Sequence, residues 1–179
     1  EEKELFRQLS VFAGGFRLKD AEAICGPVLN EKMEVLDLIE SLANKSLLVS
    51  KSQSDGELRF RMLGIIREYA GEVLEASGDA GELRERHAIY FLALAEADLY
   101  LAGERATPWI NRLREERYNL RAALRWSIVN DLEIAARLAA ALRNFWILHG
   151  YLTEGKEILE EVLKRADEIP ASLRRKLLI

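Results

Sequence analysis

Leu58-Arg59-Phe60-Arg61-Met62-Leu63-Gly64-Ile65-Ile66-Arg67-Glu68-Tyr69-Ala70 changes period in its middle. Leu58, Phe60 and Met62 alternate with Arg59 and Arg61, which predicts a strand with one apolar and one charged face. From Leu63 the spacing lengthens. Leu63, Ile66, Tyr69, Ala70 and Val73 recur at three and four, the stripe of an amphipathic helix. Gly64 stands at the changeover, where a residue without a Cβ turns freely. The chain before this junction reads as a small mixed module, and the chain after it reads as helix, with no linker between them.

Upstream, Leu5, Phe6, Leu9 and Phe12 share a helix face, and Gly14-Gly15 is expected to end that helix as a C′ glycine does. A second short helix is predicted over 18–25 and is broken by Gly26-Pro27. Met33, Leu36, Leu38, Ile39 and Leu42 predict a third helix ending near Asn44. Leu47-Leu48-Val49 reads as a strand, and Asp55-Gly56 supplies the positive φ angles of a tight hairpin. Three helices followed by a β-hairpin is the order of a winged helix-turn-helix.

Downstream of Ser77-Gly78 the pattern is helical to the end. Helices are expected from Leu83 to about Leu101, after Pro108 with Thr107 as N-cap, over 132–149, over 151–166, and from Pro170 onward. Gly150, Leu152, Gly155, Leu159, Val162 and Leu163 fall at the turn, small and apolar positions of a degenerate tetratricopeptide unit. The predicted fold is therefore mainly α: a winged helix over 1–78, then a tetratricopeptide-like array over 79–179. The absence of an initial Met and the helical ending Leu173–Ile179 read as a piece cut from a longer protein.

The totals narrow the function classes. The chain has 179 residues, a net charge of −4 and one cysteine, Cys25. One cysteine excludes an internal disulfide and a cysteine-rich metal site. No signal peptide and no apolar run of roughly eighteen residues is present, so the default location is cytoplasmic, with no membrane partner. His87 and His149 stand apart, without the clustering of a zinc site, and a Cys25–His nucleophile pair has little support. We expect no enzyme activity, no metal and no cofactor within this chain.

Residues 1–80 hold ten basic and fifteen acidic side chains, net −5. The third helix carries Glu31, Glu34, Asp37 and Glu40 against Lys32, the wrong balance for reading a major groove. On that charge argument no direct DNA binding is expected. The basic feature that stands out is Arg114, Arg117, Arg121 and Arg125, spaced three, four and four as one stripe. It is the candidate surface for an acidic partner; the plainer account is that it pairs with neighbouring acidic residues.

Leu5-Phe6-Arg7-Gln8-Leu9-Ser10-Val11-Phe12-Ala13-Gly14-Gly15-Phe16, Leu36–Leu48 and Arg61–Ala70 resemble the winged-helix region that follows the nucleotide-binding domain in bacterial STAND-type (NB-ARC-like) regulatory ATPases. Many of those are LuxR-type or SARP-type transcriptional regulators. Arg86–Phe91 and Glu116–Trp126 resemble their helical region. The resemblance implies signal transduction. An upstream ATPase domain binds ATP or ADP, the winged helix couples it, and helical repeats sense a protein or small-molecule signal. No Gly-x-x-x-x-Gly-Lys-Ser/Thr loop occurs here, so ATPase activity would reside outside this chain. Where eukaryotic members carry Met-His-Asp, this chain has Met62-Leu63-Gly64, and Leu63 is expected to fill core rather than reach a phosphate. The alternative is a nucleic-acid-binding winged helix with a helical dimerisation tail; a small enzyme is a third.

Overall fold

The alternating segment becomes the central strand of a three-stranded antiparallel sheet. β1 (Phe16–Arg17), β2 (Leu48–Ser52) and β3 (Leu58–Met62) are ordered β1-β3-β2. The computed structural model describes residues 1–26, 34–53, 56–97 and 106–178. Its chain divides into two compact units, Glu1–His87 and Ala88–Ile179.

In the first unit, β3 pairs Phe60 with Phe16 and Ser50, and Met62 with Leu48. Phe16, Leu48, Phe60 and Met62 are buried on the inner face. The helices α1 (Glu2–Gln8), α2 (Leu18–Cys25), α3 (Val35–Asn44), α4 (Gly64–Ser77) and the start of α5 (Ala80–Glu96) supply the rest of this core. Leu5, Leu9, Ile24, Leu38, Ile39, Leu42, Ala70, Leu74 and Leu83 are all essentially inaccessible. α2 is started by Asp20, whose buried carboxylate accepts a hydrogen bond from the Arg17 amide at 2.7 Å.

Three local expectations change. Gly14-Gly15 does not end a helix: α1 stops at Gln8, a 3₁₀ turn runs over Leu9–Val11, and Phe12 is already extended. Gly15 (φ +90°) instead lets β1 approach β3, because a Cβ there would lie 2.6 Å from the Phe60 carbonyl oxygen. Gly64 does not make the turn into α4. Its backbone is ordinary, and Leu63, extended at ψ 151°, serves as the N-cap. Leu63 is 45% exposed, so it is not core filling; Ala70 and Leu74 are the fully buried positions of α4. The Ser54-Asp55 turn, Met33 and Pro27 lie outside the described residues, while Gly56 has the positive φ (82°) expected of the hairpin.

In the second unit, the remainder of α5 is followed by α6 (Ala106–Glu115), α7 (Arg117–Asn130), α8 (Leu132–Leu148), α9 (Leu152–Leu163) and α10 (Ala171–Leu178). α7, α9 and α10 each pack on α8. Asp131 caps α8 by accepting from the Ile134 amide at 3.0 Å. Gly150 (φ 76°) makes the turn from α8 to α9. The predicted single helix after Pro108 is interrupted at Glu116. There a fully buried carboxylate takes Asn119 Nδ2 at 2.6 Å and lies 3.1 Å from Arg112 Nη1. The architecture is thus mainly α, a winged helix followed by a helical array, as the sequence predicts. No described helix is long and apolar enough to cross a membrane.

Gly155 marks the close crossing of α8 and α9: a Cβ there would sit 2.8 Å from two ring carbons of Trp146. Trp146 is itself buried, so its ring must shift within the packed crossing to admit the new group. Gly155→Val is expected to destabilise the second unit by about 2 kcal/mol, because overpacking costs more than the helix propensity returned by removing a glycine. Thermal unfolding followed by far-UV circular dichroism measures this; an unchanged midpoint would mean the crossing is loose.

Candidate nucleic-acid interface and partner-facing surface

Antiparallel pairing puts directly opposed residues on one face of a sheet. Arg59 is opposed by Arg17 on one side and Lys51 on the other, and Arg61 by Val49. The outer face of the sheet therefore gathers Arg17, Lys51, Arg59 and Arg61 from all three strands. They do not stand alike. Arg17 is largely buried and ion-paired to Glu57 at 2.7 Å. Arg59 Nη2 donates to the carbonyls of Gly14 (3.2 Å) and Gly15 (3.0 Å), which ties the glycine turn to the wing. Lys51 and Arg61 are exposed.

Glu57 stands against this face, paired with Arg17, while other acidic residues of the unit lie on its helices. On α3, Glu34, Asp37 and Glu40 are exposed, whereas Leu38, Ile39 and Leu42 face the core. Glu2 of α1 pairs with Lys45 at 2.5 Å and accepts from Ser41 at 3.3 Å. The Lys45 hydrogen bond, against some desolvation, holds the Glu2 carboxyl below its usual range.

The four arginines singled out by spacing are divided by the break at Glu116. Arg114 lies on α6 and is exposed; Arg117, Arg121 and Arg125 follow on α7. Arg117 and Arg121 converge on Glu154 of α9, at 2.9 and 3.6 Å. The Arg117 guanidinium also lies 4.0 Å above the centroid of the Tyr151 ring. Burial pulls its pKa down, but the Glu154 hydrogen bond and charge outweigh this and raise it. Arg125 is exposed a turn beyond Arg121. So the middle of the stripe is held against α9 and its two ends face outward. Glu154 was not legible as their partner, because it lies 37 residues from Arg117 and only the packing of α9 brings it close.

Cys25 is fully buried, and burial pushes its thiol up to about 12 despite the nearby Arg86 charge, so it stays protonated at neutral pH. A disulfide reagent is expected to leave the folded chain unmodified and to titrate one thiol in denaturant; rapid labelling of the native chain would contradict this burial. Among the described residues no group of three or more His, Cys, Asp or Glu could hold a metal ion.

Residues 1–75 match the family described as a winged helix-turn-helix domain. Over 164 residues the chain is 35% identical to proteins named "Putative HTH-type transcriptional regulator" from Mycobacterium tuberculosis and Mycobacterium bovis. The match covers 91% of this chain and 18% of those proteins. An uncharacterized protein of Mycobacterium tuberculosis is 33% identical over 87 residues, 48% of this chain and 22% of that protein. No solved structure matches.

The domain match and the regulator homology overturn the expectation of no direct DNA binding. That expectation came from summed charge over 1–80 and from the composition of α3. Phosphate contact depends on where charge is placed, not on the sum. The strand register gathers cations on one sheet face, which a sum over the unit does not show.

Proposed function

From the premise that residues 1–75 are a winged helix-turn-helix domain, in a chain homologous to proteins named as HTH-type transcriptional regulators, we propose that this is a non-catalytic segment of a regulator that docks on DNA through its wing. The observation that carries this reading is the outer sheet face, with exposed Lys51 and Arg61 beside Arg59. Two or three cations on one rigid face suit backbone phosphates, which position a protein without reading sequence. The exposed acids of α3 argue against that helix entering a groove on its own. The test is fluorescence anisotropy with a mixed-sequence duplex of about 20 base pairs over a salt series. Lys51→Ala/Arg61→Ala is expected to flatten the logarithmic salt slope by about 2, roughly one per lost phosphate contact. Equal affinity and slope for parent and variant would refute the wing as the docking face.

In its finer form, the proposal makes the segment a coupling element in a STAND-type regulator, between a nucleotide-binding domain outside this chain and a helical unit that receives a protein or small-molecule signal. What supports it is the directness of the wing-to-helix connection: Leu63 alone separates β3 from α4. Arg114 and Arg125, the outward ends of the arginine stripe, are the proposed contacts for an acidic partner, with Arg117 and Arg121 held by Glu154. A longer protein carrying the nucleotide-binding domain should change its DNA affinity between ATP and ADP; equal affinity in both would remove the coupling role.

A further inference from the structure

Two helices, one in each unit, leave a face uncovered, and the two faces carry opposite charge. On α4, Ala70 and Leu74 are buried, while Ile65, Tyr69, Glu72 and Ala76, spaced four, three and four, are exposed as one stripe. Ile65 is 83% exposed. Glu68 stands beside Tyr69, and neither Glu68 nor Glu72 makes an ion pair among the described residues. On α7, Leu120, Ala123, Leu124 and Ile128 are buried. Tyr118, Ala122, Arg125 and Val129 form the outward stripe at the same spacing. Val129 is 76% exposed. Arg125 makes no ion pair among the described residues, and Arg121, held only loosely by Glu154 at 3.6 Å, stays 41% exposed. Exposed apolar residues rimmed by charge are the signature of an interaction surface.

We propose that these two faces bind each other between copies of the chain, α4 of one copy on α7 of the next. The chain itself carries both halves of the match. Ile65 to Ala76 and Tyr118 to Val129 each span eleven residue steps, about 16 Å of helix, so the stripes agree in length. Laid antiparallel, they set Glu68 and Tyr69 against Arg125 and Glu72 against Arg121. Ile65 then meets Val129, and the Tyr118 ring lies over the small Ala76. Opposite charges steer the approach and fix which faces meet, while the apolar ends lose water. Like pairings are disfavoured, since α4 on α4 opposes carboxylates and α7 on α7 opposes arginines, so the contact joins two different faces. This names the acidic partner of the arginine stripe and rests on that part of the proposed function. Self-association is read without DNA or nucleotide, so its failure leaves the wing and the coupling experiments standing, and their failure leaves this contact standing.

The test is sedimentation velocity of the 179-residue chain over a concentration series at low and high salt. The weight-average sedimentation coefficient is expected to rise with concentration and to fall back in high salt, which screens the charge pairs. Glu68→Arg and Arg125→Glu, both at exposed positions, should each weaken self-association roughly tenfold. An equimolar mixture of the two variants should recover it, because the charges are then exchanged across the same contact. Unchanged far-UV circular dichroism separates loss of contact from loss of fold. A monomer at every concentration, lone variants that associate like the parent, or a mixture no better than its components would each overturn the proposal. A monomeric chain that binds poly-glutamate through Arg125 would assign the stripe to a different acidic partner and overturn it equally.

Discussion

Gly15→Ala should destabilise the first unit by about 3 kcal/mol, the sum of a left-handed backbone and an overpacked contact. At φ +90° an L residue is strained whatever surrounds it. Here the surroundings are also closed. The new Cβ would lie 2.6 Å from the Phe60 carbonyl oxygen and 3.3 Å from Arg59 Nε. Phe60 is locked in the ladder between β1 and β2, and Arg59 is held by the Gly14 and Gly15 carbonyls. Neither neighbour can give way without loosening the sheet. Gly56→Ala is the internal control, since its φ is +82° with nothing within 4 Å of the new Cβ. It should cost only the backbone part, about 1–2 kcal/mol. Urea unfolding of both variants separates the two contributions; equal losses would mean that the β1–β3 approach is not tight.

Glu116→Ala should cost the second unit about 3 kcal/mol or more, because removing one partner of a buried ion pair strands the other. Glu116 is fully buried, as is Asn119, and the Arg112 side chain is only 11% exposed. The substitution takes the carboxylate from Asn119 Nδ2 and Arg112 Nη1 together. It acts where α6 gives way to α7, so the loss is expected as a lower unfolding midpoint with altered exposure of Trp109 and Trp126. Glu116→Gln keeps an acceptor and should lose less. Adding Arg112→Met to Glu116→Ala should recover part of the stability, since the unpaired charge is then gone. A double variant no more stable than Glu116→Ala would show that Arg112 is not the group left stranded.

Both positions are visible in the sequence and neither was readable there for its role. In the sequence Gly15 looks like a helix terminator because glycine ends many helices, and the local signal is the same. Its use against Phe60 depends on a strand of two residues, Phe16–Arg17, too short to show any period. Nothing in the sequence marks Glu116 as buried, since charge on a helix is usually exposed. Only the packing around the interruption reveals a buried acid. The arginine stripe was half legible. The spacing of Arg117, Arg121 and Arg125 put them on one face of α7, but their partner comes from α9, and Arg114 falls on the other side of the break at Glu116.

The sequence by itself determined most of the helices, the two strands of the hairpin, and their order. Alternation from Leu58 to Met62 against three-and-four spacing from Leu63 is a local code, because each backbone geometry presents side chains at its own period. It likewise placed the turn at Gly150, the start of α10 after Pro170, and a winged helix ahead of a helical array. The tertiary structure alone decided where charge collects. Lys51 and Arg59 reach one face because of strand register, and Arg117 and Arg121 meet Glu154 because α7 and α9 both pack on α8. Net charge is a sum over the chain, while a phosphate or a carboxylate senses a local field. That field depends on pairings between residues far apart in sequence, which no local period records.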